Sequence, residues 1–512
     1  MDGFLKQVVE TVGENDWRAV VAGAGAAAGL GFLVLFQGKK LVLKLKCRHI
    51  PGPPGEVPFL GHALTLLKGN VWHTCSKWAN VYGKLYTFTV LGEVYICVTD
   101  PEYVKHVMQK KFEKYRKARA HYRVFSELLG TGIVTSEGER WQALRKQLAP
   151  TFKLDTLEGV GSAAVRVTER LLEVLDRACE TGEEVDMAEH FRVITLQVIS
   201  LAVLSIAPDE ADASLSSLYL PIIDECNERI WYPYRSFLPL PDWWRHRALV
   251  SKLNRFLEGQ VMGRWRSKFE GGGYDGVPRD ILDRILAGIE GKMTTSTLNE
   301  LRDGLKTFLF AGHDTTSATL TWALWELMNS PSDMDECAKE AQEVFKNGHN
   351  AEFGFIKMSL MHTFNVLRET LRIHSVVPVV TRELAEDDEI GGTRIPKGVV
   401  VMCNMRGVHH TADSWPGGDV DKFRPGRFGV AASTSPLTGL GDVDQWAFLP
   451  FINGPRNCIG QHFSLLESRV ILGMLVRRYE FTPAVGQNGD AHPYKIPITP
   501  VNGMRVTLKR RR

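Results

Sequence analysis

Nowhere in this chain do two cysteines stand in a C-x-x-C arrangement, so a structural zinc site has no paired thiolates to start from. The eight cysteines, Cys47, Cys75, Cys97, Cys179, Cys226, Cys337, Cys403 and Cys458, are widely scattered. That spacing excludes a small disulfide scaffold and fits a reducing compartment. Internal repeats and low-complexity tracts are also missing, which excludes solenoids and disordered chains. Charge of one sign is scarce too: 62 Lys and Arg against 59 Asp and Glu leave +3, with no electrostatic sign of nucleic-acid binding. What is there is an ordinary globular composition over 512 residues, enough to bury a large core.

The N-terminus departs from that average. From Ala19 to Phe36 no residue is charged. About 18 residues of helix reach roughly 27 Å, the thickness of a hydrocarbon core. Basic residues follow (Lys39, Lys40, Lys44, Lys46 and Arg48), whereas Asp2, Glu10, Glu14 and Asp16 outnumber Lys6 and Arg18 before the run. A cleaved signal peptide wants the opposite order, and a buried core helix is the other plain alternative. The expected layout is a short segment 1–18, a transmembrane anchor 19–38, a basic and Pro-rich hinge 39–55, and a catalytic domain 56–512. Positive-inside asymmetry puts that domain on the cytosolic side. Pro51-Gly52-Pro53-Pro54-Gly55 cannot continue a helix and reads as the stiff part of the hinge.

Apolar residues at three- and four-residue spacing predict helices over 157–179, 189–206, 249–269, 281–289 and 298–329. Strand-like runs are shorter: 85–98, 399–405 and 504–508. Gly271-Gly272-Gly273 and the stretch from Ala431 to Asp444 read as loops. The fold class expected is mainly α, of the α+β kind, in one large domain.

One cysteine stands apart. In Phe451-Ile452-Asn453-Gly454-Pro455-Arg456-Asn457-Cys458-Ile459-Gly460 a tight loop leads into a predicted helix over 461–476. A thiolate at a helix N-terminus, with Arg456 two residues away, is stabilised. Gly454 and Gly460 permit unusual backbone angles or the close approach of a flat cofactor. The complete pattern F-x-x-G-x-R-x-C-x-G resembles that of the cytochrome P450 family. The resemblance implies haem b (iron protoporphyrin IX), with Cys458 as axial ligand to the iron, Phe451 beside the thiolate, and Arg456 on a propionate.

Three further motifs follow in the family's order, and the resemblance spans roughly residues 50–510. Glu369 and Arg372, at i and i+3, with Arg427 downstream, are similar to a buried structural triad. Alone, an i, i+3 pair is usually a surface ion pair. Ala311-Gly312-His313-Asp314-Thr315-Thr316 lies mid-helix and is similar to an oxygen-binding groove, in which Thr315 hydrogen-bonds bound O2 and Asp314 helps to deliver protons. His313 is expected to be a satisfied bystander. Trp141 and Arg145, at i and i+4, resemble the W-x-x-x-R signature that reaches the propionates, and Arg382 matches another propionate partner.

The resemblance implies a monooxygenase that inserts one atom of O2 into a lipophilic small molecule. Electrons are expected from a separate NADPH-dependent reductase, because no flavin- or nicotinamide-binding segment is found. Arg140, Arg145, Lys146, Lys153 and Arg424 are candidates for docking it. The membrane expected is the endoplasmic reticulum, with a single pass. An isomerase or dehydratase that needs no O2, and a haem sensor without turnover, are the competing readings; the acid–threonine pair favours monooxygenation. Tyr122, Phe125, Phe310, Ala311, Val376, Val377, Val379 and Ile498 are expected near the substrate. They are mostly apolar, consistent with a fatty acid, sterol or isoprenoid. Because position 311 is alanine and not glutamate, covalent attachment to haem through that residue is excluded.

Overall fold

The structure is a computed structural model that describes residues 38, 40–153, 157–269, 277–346, 359–415, 418–429, 440 and 443–511. The anchor expected over 19–38 lies outside the described residues apart from Gly38, and so do the triple glycine and most of the loop from Ala431.

Helices carry most of the chain. Glu158–Thr181, Met187–Leu204, Pro241–Phe269, Ile281–Ala287, Thr295–Asn329 and Gln461–Arg478 fall where periodicity predicts them, with ends displaced by a few residues and the third reaching eight residues further back. Thr294 starts the longest one by accepting the Thr297 N–H at 3.1 Å, and Pro331 follows its end. Met187–Leu204 is long and apolar enough to cross a membrane, yet it is 61% buried inside the protein. Phe191, Leu196, Val198 and Val203 are fully enclosed, which makes it a core helix packed on Thr295–Asn329.

Five strands form the main sheet in the order Leu85–Val90, Glu93–Val98, Val400–Asn404, Val379–Leu384 and Tyr115–Lys117. The run predicted over 85–98 is a hairpin, with Leu91 and Gly92 at positive φ in its turn. The strand Val400–Asn404 is buried at every position, as suits a central strand flanked on both sides. Tyr115–Lys117 and Val379–Leu384 went unpredicted because three to six residues with mixed polarity carry too little periodicity. Their register places Lys117 directly opposite Arg382.

The hinge expected over 39–55 is corrected. Residues 40–46 are helical, and Cys47 and Ile50 are buried against Val94, Ile96 and Val98 of the sheet. Thr87 N–H donates to the Pro51 carbonyl at 2.8 Å, and a Cβ at Gly52 would meet the Thr87 oxygen at 2.2 Å. The proline-rich stretch is therefore tied to the folded body as its first layer.

Candidate active site

Cys458 lies three residues before Gln461, the start of the helix Gln461–Arg478. Its own N–H donates to the Phe451 carbonyl at 2.8 Å, which closes the loop and sets Phe451 next to it. Gly454 makes this loop possible: its φ is +86°, and an added Cβ would stand 2.5 Å from the Met108 carbonyl oxygen. Gly460 has an ordinary φ, and a Cβ there would meet nothing within 4 Å. The two glycines thus do different things. One allows a strained turn, and the other leaves room beside the sulfur.

Cys458 is deep inside the protein, yet its side chain presents open surface. Those facts agree only if the sulfur faces an internal space and not bulk solvent. Burial pushes its thiol above the usual range, while the Gly460 N–H and the Arg145 guanidinium pull it back. The expected stabilising arginine was Arg456, and here the structure differs. Arg456 is turned away into a bidentate pair with Glu137, at 2.8 and 2.7 Å, and stacks 4.5 Å from the Trp141 ring. Arg145 is the cation near the sulfur, donating from Nη1 to the Asn457 carbonyl at 2.9 Å. Trp141 and Arg145 therefore serve different neighbours, although they share one helix face.

Lys117, Arg382 and Arg456 form a cationic cluster beside this loop. Like charges directly opposite on neighbouring strands repel, and Lys117 faces Arg382 in that way. Burial, then Arg456, then Arg382 push the Lys117 ammonium down to about 7, with Glu137 acting the other way. Lys117 also donates to the carbonyls of Ile133, Val134 and Ser136. Arg382 is buried, and its guanidinium donates to the Thr381 carbonyl at 2.9 Å and to the Tyr122 hydroxyl at 3.5 Å. Two buried cations and the partly buried Arg456, against Glu137, call for further negative charge. Lys117 was missed in the sequence because nothing around it forms a motif; only strand pairing exposes it.

Opposite in character is the middle of Thr295–Asn329. Leu309, His313 and Thr316 are enclosed, whereas Ala311 is exposed and Thr315 is partly so, one turn apart on the same face. The Thr315 hydroxyl donates to the Ala311 carbonyl at 2.8 Å, as mid-helix threonines do. Gly312 does not open that face: its missing Cβ would lie 2.7 Å from Ile199 Cδ1, so it serves packing against Met187–Leu204. Asp314 is buried, and burial holds its carboxyl up at about 6, with Arg192 opposing. His313, expected to be satisfied, is not fully so. Its Nδ1 lies 3.3 Å from the Leu309 carbonyl, but Nε2 is buried with no hydrogen-bond partner among the described residues.

Of the expected pocket residues, Phe125 and Phe310 meet at 5.3 Å between ring centres. Phe125, Phe310, Ala311, Val377 and Val379 retain accessible surface. Val376 and Ile498 do not: they are buried, and their backbones are joined at 2.9 Å, so they belong to the core. Tyr122 is drawn to the cationic cluster, with the Lys117 ammonium 5.7 Å from its ring. Glu369 sits between Arg372, at 2.8 Å to both carboxylate oxygens, and Arg427 at 3.2 Å, and all three side chains are buried.

A family model described as Cytochrome P450 matches residues 51–501. The chain belongs to the cytochrome P450 family. A cytokinin hydroxylase of Arabidopsis thaliana is 28% identical over 437 residues, covering 85% of this chain and 82% of that protein. Cytochrome P450 4c21 of Blattella germanica is 27% identical, covering 94% and 97%. Cytochrome P450 4F3 of Homo sapiens is 28% identical, covering 86% of each. The protein is thus a P450 monooxygenase that carries haem b, uses O2 and a redox partner, and acts on lipophilic molecules. The residues present fit that cofactor. The sulfur faces an internal space, Gly460 leaves room beside it, and the Lys117, Arg382 and Arg456 cluster suits two carboxylates.

Proposed function

We propose that this P450 hydroxylates a lipophilic fatty acid, sterol or isoprenoid from a membrane-anchored position, with Cys458 holding the haem. The observation that carries the reading is a deeply placed cysteine sulfur facing an internal space beside Gly460. Haem, when bound, supplies the O2 chemistry, and a thiolate ligand favours O–O cleavage. The protein's own residues do the rest. Phe451 and the Gly460 N–H shape the surroundings of the sulfur. Trp141, Arg382 and Arg456 would hold the propionates, with Lys117 adding positive charge beside them, and Arg145 steadies the cysteine loop through Asn457. A carboxyl near 6 can both release and regain a proton around neutral pH, which suits Asp314 to feeding protons to Thr315. Glu369, Arg372 and Arg427 are structural. This acid–threonine pair argues against an isomerase, a dehydratase or a sensor.

The aromatic and aliphatic lining by Phe125, Phe310, Val377 and Val379 supports an apolar substrate. Two named cytokinin hydroxylases among the relatives support hydroxylation as the outcome. A single anchor over 19–38, the catalytic body in the cytosol and residence in the endoplasmic reticulum complete the reading. It is supported by exposed apolar side chains that follow the anchor (Leu41, Val42, Leu45, Phe59) and by Phe237 and Trp244. Alkaline extraction of membranes should leave the chain in the pellet; release into the supernatant contradicts the anchor.

For electrons we propose an NADPH-dependent flavoprotein reductase with an acidic face. Arg140 is engaged by Glu300 at 3.1 Å, Arg145 by Asn457 and Arg424 by Asp419 at 3.8 Å, so the exposed Lys146 is the better docking cation. Lys146→Glu should slow reductase-supported turnover and flatten its salt dependence, leaving peroxide-supported turnover intact. Unchanged salt dependence would reject this docking face.

A further inference from the structure

One residue before Asp314 in the chain, a buried imidazole meets a buried phenol. Tyr219, on Ser217–Trp231, and His313 are both fully buried, with ring centres 5.5 Å apart in an edge-on arrangement. The Tyr219 hydroxyl and His313 Nε2 have no hydrogen-bond partner among the described residues. Because Nδ1 faces the Leu309 carbonyl, the proton belongs on Nδ1 and Nε2 is left as an acceptor. Burial, and then Arg192, push this imidazole down to about 3, so it is neutral. Burial, and then the charge of Asp314, raise the phenol, which therefore remains an O–H donor.

A buried donor and a buried acceptor in contacting rings, each unsatisfied, are costly in an apolar interior. One water that accepts from the phenol and donates to the imidazole would satisfy both groups. Asp314 follows His313 in the chain, on the next position of the same helix, and is the acid such a water would address. Thr195 Oγ1 donates to the His313 carbonyl at 3.1 Å and pins the helix at this point.

We propose that Tyr219 and His313 hold one water molecule between their helices and turn its remaining hydrogen towards the Asp314 carboxylate. This makes both of them positioning residues for the acid. The inference rests on Asp314 being the proton-delivering group. Other charges face the same cluster: Arg192 and Glu189 from Met187–Leu204, Asp224 and Cys226 from Ser217–Trp231, and Lys495 from the C-terminal segment. Arg192 bonds Asp224 at 2.9 Å and Glu189 at 3.4 Å, and both acids reach solvent. Those groups set a background that substitution at Tyr219 or His313 leaves in place.

Infrared titration of the haem-loaded protein tests this. The carbonyl stretch of protonated Asp314 is assigned by its loss in Asp314→Asn, and its midpoint is followed with pH. A donor to the carboxylate favours the charged form, so Tyr219→Phe and His313→Leu should each raise proton affinity about tenfold. The double variant should raise it no further, because both side chains hold the same water. No shift, or two shifts that add, would overturn the proposal. Should a variant fail to fold, the unmodified protein decides: its Asp314 band must lie where a hydrogen-bonded carboxyl absorbs, and a band at the free-acid position rejects the water. Thermal unfolding adds an independent sign, since removing a truly orphaned hydroxyl would leave Tyr219→Phe as stable as the parent or more so, whereas losing a bound water lowers Tm. If Asp314→Asn kept full coupling of O2 to product, the acid's role would fail while the infrared shifts could still appear.

Discussion

Replacing Glu369 by glutamine should destabilise the protein far beyond what an ordinary ion pair contributes. The carboxylate accepts from Arg372 Nε and Nη2 at 2.8 Å each, from Arg427 Nε at 3.2 Å and from the Arg424 N–H at 3.0 Å. None of the carboxylate or Arg372 side chain is exposed, and 3% of Arg427 is. An exposed pair is worth about 0.3–0.5 kcal/mol, whereas removing one partner of a buried network costs about 3–5 kcal/mol because a charge is left uncompensated. Arg372 keeps the carbonyls of His409 and Val420 at 3.0 and 2.6 Å, which argues for the lower end, about 3 kcal/mol. Against a typical net stability of about 5–15 kcal/mol that is a large fraction. Urea unfolding followed by fluorescence is well placed to see it, since Trp415 stacks 5.2 Å from the Arg372 guanidinium. Arg427→Gln and the double variant complete a cycle, in which the double should lose at least 1 kcal/mol less than the sum, as neighbours in one network do. A loss under about 1 kcal/mol for Glu369→Gln, or strict additivity, would refute the network.

Asp314→Asn should separate stability from activity. The folded carboxyl, raised to about 6, is protonated where the unfolded chain's is ionised, so its contribution is present below about pH 4 and lost as pH climbs through 6. The loss is about 2–3 kcal/mol, and Asn should flatten the pH dependence of Tm between 4 and 6, raise Tm at pH 7–8 and lower product per O2; an unchanged pH slope would count against it. Gly454→Ala should cost apoprotein stability, because φ is +86° and the new Cβ meets the Met108 oxygen. Gly460→Ala should leave apoprotein unfolding unchanged or raised by about 0.4–1 kcal/mol while lowering haem per protein, and full haem loading would show that the open space beside the sulfur is not used.

Much of the site was legible because its chemistry is compressed into short segments. Ten residues around Cys458 and six around Asp314 carry residue types that have no place in an apolar stripe. The longest helix was readable from Leu301, Leu305 and Phe308 at helical spacing, and it extends one turn further back only because Thr294 caps it. What escaped depends on partners distant in sequence. Lys117 and Arg382 become a cationic pair only through strand register. Arg456 turns to Glu137, 319 residues away, which leaves the sulfur to Arg145. The proline-rich stretch read as a hinge because its composition is stiff, but Thr87 and the buried side chains of Cys47 and Ile50 attach it to the sheet. The family resemblance places Val376 and Ile498 near the substrate, whereas their mutual backbone bond and their burial put them in the core.

Cys458 as the sulfur ligand to haem is the claim on which the rest depends. The direct measurement is the absorption spectrum of the reduced, carbon monoxide-bound protein beside that of Cys458→His. The parent should show its Soret band at the position set by thiolate ligation, and the variant should lose that band. A parent band placed as for histidine ligation, or one that survives in Cys458→His, would contradict the account.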